Sequence, residues 1–532
     1  MINFRFLQLC AILLVAVNSP TVGSSEAFGG LESGQFEVGF KTILTYDRSR
    51  LPIPYSDWDG RLYSTTETKG RQMQIALWYP AQINETDVKI QFGQYVELMA
   101  QQTEFTAMDA GKRKFADDRF ISNTNDLGGN GTFTAKKLAI LKKLDTNAYS
   151  NAKPIDDKFP LIVFPNGGSP ASLSVMCEYF ASHGFVVAGV ALKGEHAFSG
   201  GASLKGLETA VSDLDFAIRS LSEMPQVNAG KLGLIGNGNS SSHIVAYQTR
   251  NSNVDAVVSL DGGLISQFEQ SILKRTPFYE PQAVNVPLLV IYAPHPSIDP
   301  IYISDLQYSD RYFFHFPQMS EFHFLNYGAF EKYVPNIIGE PKGDVQTGLE
   351  TASLYSLRFF EAFLSDNKNS LAFLEAEPTG LHSEQINTRM IKRALPLPPN
   401  ITIIKDAFLE QGFASIKQIY DELKKKIPAP FPMSFYNDMK DWLAWKRDPE
   451  FENRYRLYQL GLDSYPDSAT INYYFAYFAS ETGRIELSKQ HDQRALELLE
   501  TDHSPELTNE RKQRMRTFIH ESLDALKKEG SE

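Results

Sequence analysis

From residue 159 the chain alternates short, nearly continuous apolar runs with longer amphipathic stretches. Leu161-Ile162-Val163-Phe164, Phe185-Val186-Val187-Ala188-Gly189-Val190, Leu232-Gly233-Leu234-Ile235, Ala256-Val257-Val258-Ser259-Leu260 and Leu288-Leu289-Val290-Ile291-Tyr292 are the runs, and 172–182 and 203–223 carry helical periodicity between them. A strand that is apolar on both faces must be covered on both faces, so the pattern predicts a mainly parallel sheet with helices on either side. A strand at 72–80, ended by Pro80, comes before this region, and a strand at 311–316 comes after it. Ligands on such sheets bind beyond the carboxyl ends of the strands.

The segments outside the alternating region differ in pattern. Residues 83–158 are polar, include Gly128-Gly129-Asn130-Gly131 and show helical patches near 91–101 and 135–144. They read as an insertion that caps a site or covers the sheet edge. Residues 377–400 end in Leu395-Pro396-Leu397-Pro398-Pro399 and read as a stiff linker. Residues 401–532 have helical periodicity throughout. Two stretches there, 435–468 and 469–502, share a helix–turn–helix outline. Ala476, Gly483, Ser488 and Ala495 are small residues where paired helices approach, and Gly461 and Pro466 close the first stretch. The 34-residue period resembles that of tetratricopeptide repeats, and a plain helical bundle fits the pattern as well. Both readings give an all-α C-terminal domain that is a candidate for docking a protein partner.

At the N-terminus, Arg5 precedes the run Phe6-Leu7-Gln8-Leu9-Cys10-Ala11-Ile12-Leu13-Leu14-Val15-Ala16-Val17, and small residues lead to Ser24. Residues 1–23 therefore read as a secretory signal peptide, too short to span a bilayer, and the mature chain is expected to be secreted or periplasmic with no transmembrane segment. With a formal net charge of −12 and no basic stripe, nucleic-acid binding is not expected. Of two cysteines, Cys10 leaves with the signal, so Cys177 has no partner for a disulfide and reads as a helix core position.

The strongest chemical signal is Gly236-Asn237-Gly238-Asn239-Ser240, placed between the strand 232–235 and a helix. Serine hydrolases that carry their nucleophile on a strand–turn–helix elbow read G-x-S-x-G at this place. Here the apex is Gly238, which accepts the strained backbone but has no oxygen to attack with. Together with this elbow, Ile75-Ala76-Leu77-Trp78-Tyr79-Pro80-Ala81, Phe159-Pro160-Leu161-Ile162-Val163-Phe164, Tyr179-Phe180-Ala181-Ser182-His183-Gly184-Phe185-Val186-Val187 and Ser259-Leu260-Asp261-Gly262-Gly263, with an echo in Ser370-Leu371-Ala372-Phe373-Leu374, give the chain its likeness. Over about residues 35–376 it resembles the plasma-type platelet-activating-factor acetylhydrolases and related dienelactone-hydrolase-like proteins of the α/β-hydrolase superfamily.

The resemblance implies an α/β-hydrolase fold over residues 30–376, with the all-α domain beyond it. It places the family's acid on Asp261, its histidine on His323 and the oxyanion-hole amides on Gly168 and Asn239. The family's His-Gly before the first of these amides is here Asn166-Gly167. A bland role stands beside each: His323 as a buried structural histidine among Phe322, Phe324 and Tyr327, and Asp261 as a helix cap. His196 and His295 have no partners at metal-ligand spacing, so neither a metal nor a cofactor is expected. Three readings follow. The chain is a pseudo-hydrolase that binds an ester- or lactone-like small molecule, an esterase that recruits Ser240, Ser241 or Ser242, or a hydrolase in which Asp261 and His323 activate water.

Overall fold

The buried apolar runs become neighbouring strands. In chain order the strands are β1 (Glu37–Asp47), β2 (Arg71–Gln82), β3 (Lys89–Gln91), β4 (Asp145–Ser150), β5 (Lys153–Pro154), β6 (Phe159–Asn166), β7 (Val186–Ala191), β8 (Val227–Asn237), β9 (Ala256–Leu260), β10 (Leu288–Tyr292), β11 (Arg311–His315) and β12 (Thr388–Lys392). The computed structural model describes residues 31–51, 69–102, 105–193, 203–276, 279–397, 400–444, 447–502 and 507–529. The expected signal at 1–23 and His196 lie outside these residues.

Across the sheet the order is β12-β11-β10-β9-β8-β6-β7-β2-β1-β4-β3, with β5 attached to β2. The strands from β7 through β6 and β8 to β11 are parallel. β2 runs antiparallel to both β1 and β7. Alternate residues of β6 enter different cores: Ile162 and Phe164 pack on one face of the sheet, Leu161 and Val163 on the other. Each such fully buried side chain contributes about 1.5–3 kcal/mol of hydrophobic stabilisation. The helix Leu204–Ser222 lies over one face and Val345–Leu364 over the other. This is an α/β-hydrolase fold followed by an all-α region.

Two differences from the sequence reading have a common cause. The stretch 377–400 is not a simple linker, because it holds the helix Leu381–Gln385 and β12, which pairs with β11 from Arg311 opposite Lys392 to His315 opposite Thr388. The first unit accordingly runs to Ala394. β12 is a short edge strand of Thr-Arg-Met-Ile-Lys, half-exposed along most of its length, and an edge strand of that kind needs no apolar run. β1 was hidden for a similar reason, since seven of its residues are only partly covered. In the insertion, β3 and β4 extend the sheet beyond β1, while the helices Phe92–Glu97 and Ala110–Thr124 stand beside the carboxyl ends of the parallel strands.

The second unit, Leu395–Glu532, is helical. Stretch 435–468 lies over the helices Met433–Ala444 and Glu452–Ser464, and stretch 469–502 over Ala469–Glu481 and Ile485–Thr501. Ala476, Ser488 and Ala495 are fully buried, and Gly483, with φ +76°, follows the helix Ala469–Glu481.

Cys177 is buried on the helix Ser174–Ser182. Its neighbour Glu178 is a carboxyl deep in the first unit. The Tyr95 hydroxyl donates to Glu178 at 2.6 Å, the Asn147 amide donates to it at 2.7 Å, and the Trp78 indole donates to Tyr95 at 2.7 Å. Burial outweighs these bonds and pushes the carboxyl up to about 8 from an ordinary 4.5. Between those values the unfolded chain has lost a proton that the folded chain keeps, so this group's contribution to stability falls as pH rises through the window. The loss is about 1.4 kcal/mol for each pH unit in the window. Urea midpoints at about pH 5 and about pH 9 are expected to separate clearly in the wild type and to separate much less in Glu178→Gln. An unchanged pH difference in the variant would assign the effect to other groups.

Candidate functional site

β8 ends at Asn237, the helix Ser240–Gln248 begins three residues later, and Gly238 joins them with φ +58°. That left-handed backbone is the elbow conformation, here held by a residue that adopts it without strain. The three serines after it are turned away. Ser240 is buried, and its hydroxyl accepts from the Asn237 amide and donates to the Asn237 carbonyl, both at 2.8 Å. Ser241 accepts from the Ser259 hydroxyl at 3.0 Å, and the buried Ser242 hydroxyl has no hydrogen-bond partner among the described residues. None of the three lines the cavity above the elbow. Ser240 is therefore corrected from candidate nucleophile to a residue that closes the strand–helix turn on itself.

Asp261 and His323 do not come together as a pair. Asp261, in the left-handed region with φ +66°, accepts from the Gly238 amide at 2.8 Å and from the Gly263 amide at 2.7 Å. It clamps the elbow backbone instead of orienting an imidazole. His323 sits in the short turn Glu321–Phe324, with Nδ1 2.7 Å from the Ser320 hydroxyl and Nε2 buried without a partner among the described residues. Burial pulls its pKa down to about 4, so the ring is neutral at neutral pH. The oxyanion-hole expectation also divides. The Gly168 amide donates to the Asn166 side-chain oxygen at 2.6 Å and is already occupied, whereas the Asn239 amide makes no hydrogen bond among the described residues. Asn166 also accepts from the Ser169 amide at 3.1 Å. Asparagine readily accepts from backbone amides two or three residues on, which is the physical consequence of its standing where the resembling family has histidine.

The position over Gly238 belongs to another residue. A Cβ built on Gly238 would lie 3.3 Å from Glu321 Oε1 and 3.7 Å from Asp261 Oδ2. Glu321 thus fills the region that a serine hydroxyl and its base would share, and sequence reasoning did not single it out. Burial first and then Glu321 raise Asp261 well above the ordinary carboxyl range, with Glu269 adding a smaller push. Glu321 is itself raised by lost hydration and by Glu269, against a small opposing effect of His295.

Scans of this sequence against family models and against curated proteins give no match. Among solved structures the chain is similar to a ferulic acid esterase from Streptomyces cinnamoneus, with 18% identity, 67% of this chain and 99% of that chain covered, and a TM-score of 0.45.

Above the elbow lies a cavity of about 480 Å³, within the range of small-molecule sites. The insertion supplies Phe92, Tyr95, Val96, Met99 and Phe120, the loop after β6 supplies Asn166–Ser169, and the segment after β11 supplies Glu321, Phe322 and Leu325. A second cavity of about 450 Å³ contains Asp261, His295 and Ser320 and shares Leu127, Gly238, Glu269, Glu321 and Phe322 with the first. The two thus meet at the elbow. No helix among the described residues is long and apolar enough to cross a membrane.

Proposed function

We propose that this chain uses an α/β-hydrolase fold to bind a small organic ligand above Gly238 and has no serine-ester chemistry. The observation that carries the reading is the Glu321 carboxylate over the elbow, where a nucleophile and its imidazole would need to meet. The local likeness to plasma-type platelet-activating-factor acetylhydrolases supports an ester- or lactone-like shape for the ligand. The layout of residues 1–23 supports export of the mature chain, and the helical second unit is a candidate for docking a partner.

Fluorophosphonate probes attack activated serines, so no labelling of the purified protein is expected. Gly238→Ser is expected to remain unlabelled too. The new hydroxyl would face two carboxyls, and the imidazole of His323 is bound to Ser320. Labelling of the wild type that disappears in Ser240→Ala would overturn the reading. Ester turnover without labelling, abolished by Glu321→Gln, would replace it with water activation by the carboxyl groups.

A further inference from the structure

One acidic side chain joins both arms of the insertion to the rest of the first unit. Glu178, 1% exposed on the helix Ser174–Ser182, accepts from the Tyr95 hydroxyl of the helix Phe92–Glu97 at 2.6 Å and from the Asn147 amide of β4 at 2.7 Å. Trp78 of β2 completes the junction by donating to the Tyr95 oxygen at 2.7 Å. Two elements of the insertion and two from outside it therefore meet at a single carboxyl. The carboxyl has no ion pair among the described residues, and its surroundings are aromatic. Tyr95 packs against Phe40, Trp78 and Phe92, with ring centroids 5.0, 5.6 and 6.1 Å away. An acid in such a place holds its proton to a higher pH than in water, because only the charged form suffers from lost hydration.

The groups that face Glu178 leave it as the one that changes its charge between about pH 5 and 8. Tyr95, across the junction, and Cys177, beside it on its own helix, are both pushed well above their ordinary values by burial. Lys89 on β3 exerts only a minor attraction. β2 presents Trp78 and β4 an amide, neither of which titrates. The insertion, residues 83–158, contains no histidine. Further bonds between the insertion and its surroundings, from Gln74 Nε2 to the Leu98 carbonyl and from Gln102 Nε2 to the Gly168 carbonyl, both 2.9 Å, are indifferent to pH.

We propose that Glu178 is a proton-operated latch. With its proton in place it holds the insertion closed, and losing the proton favours release of the helix Phe92–Glu97, whose Phe92, Tyr95 and Val96 wall the cavity above the elbow. No ligand is needed for the latch to act. In the closed form Glu178 keeps its proton up to about pH 8, and once released into water it loses the proton near the ordinary 4.5. Closure is therefore fully favoured below the lower value and is lost as pH rises through the window, by about tenfold in equilibrium constant for each pH unit. Openings of this local kind have a free energy of their own, below that of global unfolding.

Hydrogen exchange of the full chain, read by mass spectrometry between about pH 5.5 and 7.5, tests the latch. After division by the intrinsic rate of each amide, exchange in peptides over 89–101 and 145–150 is expected to rise about tenfold per pH unit, while β6, β8 and β9 stay protected. Glu178→Gln, neutral at every pH, is expected to abolish the rise. Tyr95→Phe keeps the ring but takes one donor from the carboxylate, and is expected to carry the rise on to higher pH. This second variant keeps the test decisive where the glutamine variant folds poorly. Corrected exchange of the insertion that does not change with pH, a rise that persists in Glu178→Gln, or an equal rise in β6, β8 and β9 would each overturn the proposal.

Discussion

Asp213→Ala is expected to destabilise the first unit by about 3–5 kcal/mol, the usual result of removing one partner from a buried ion pair. Asp213 is fully buried on the helix Leu204–Ser222, and Arg71, 4% exposed, begins β2. The guanidinium binds the carboxylate through two parallel hydrogen bonds, both 2.7 Å, and Arg50 Nη2 lies 2.9 Å from the same carboxylate. Lys193 is near enough to feel all three. Burial, and next the charge of Arg71, lower its pKa to about 7, while Asp213 opposes the shift. Alanine would take the Asp213 carboxylate away from Arg71 and Lys193 in a site with little water, while Arg50 keeps Asp47 at 2.6 Å, and no neutral rearrangement is open to arginine. Urea unfolding followed by the fluorescence of buried Trp78 would measure the change. A loss below about 1 kcal/mol would mean that water reaches and screens the cluster.

Gly263→Ala is expected to have the second large effect, and it acts on the elbow directly. A Cβ on Gly263 would lie 2.0 Å from the Gly238 carbonyl oxygen and 2.8 Å from the Gly238 Cα, both of them backbone atoms. Backbone cannot turn aside as a side-chain tip can, so the elbow or the β9 end must move. The Asp261 hydrogen bonds to the Gly238 and Gly263 amides would be disturbed with it. A loss of about 3 kcal/mol or more is expected, at the upper end for overpacking, together with loss of ligand binding. Gly238→Ala is the informative comparison. Its Cβ meets two side-chain tips, Glu321 at 3.3 Å and Asp261 at 3.7 Å, and no backbone, and the positive φ costs about 1–2 kcal/mol. If thermal unfolding shows the two variants equally destabilised, the backbone clash at Gly263 is not the controlling contact.

Both variants bear on what was readable from the chain alone. The strands β6 to β11 were legible because each is a contiguous apolar run covered on both faces. The elbow was legible for the same kind of reason, since β8, Gly238 and the following helix are consecutive in sequence and strand–turn–helix geometry is a local property. The helical character of residues 401–532 was readable from periodicity, and β1 and β12 were not, because their exposed positions break the apolar pattern.

Partners were much less legible than positions. Ser240, Asp261, His323 and Gly168 were chosen as residues that chemistry would need. Whether each group is available depends on what competes for it. Ser240 bonds to Asn237 and Gly168 to Asn166, both only a few residues away, yet those choices depend on the exact turn conformation. Asp261 bonds to the Gly238 amide across the sheet end, and His323 finds Ser320.

The sequence by itself determined the central strands, the elbow and the absence of an oxygen at position 238, because these depend on residues adjacent in the chain and on backbone conformation. Only the tertiary structure decided that Glu321 stands over that elbow and that the carboxyl groups of Asp261, Glu269 and Glu321 share one region. Loops from the ends of different strands meet there, and a side chain's reach across that meeting place is set by packing of segments distant in sequence.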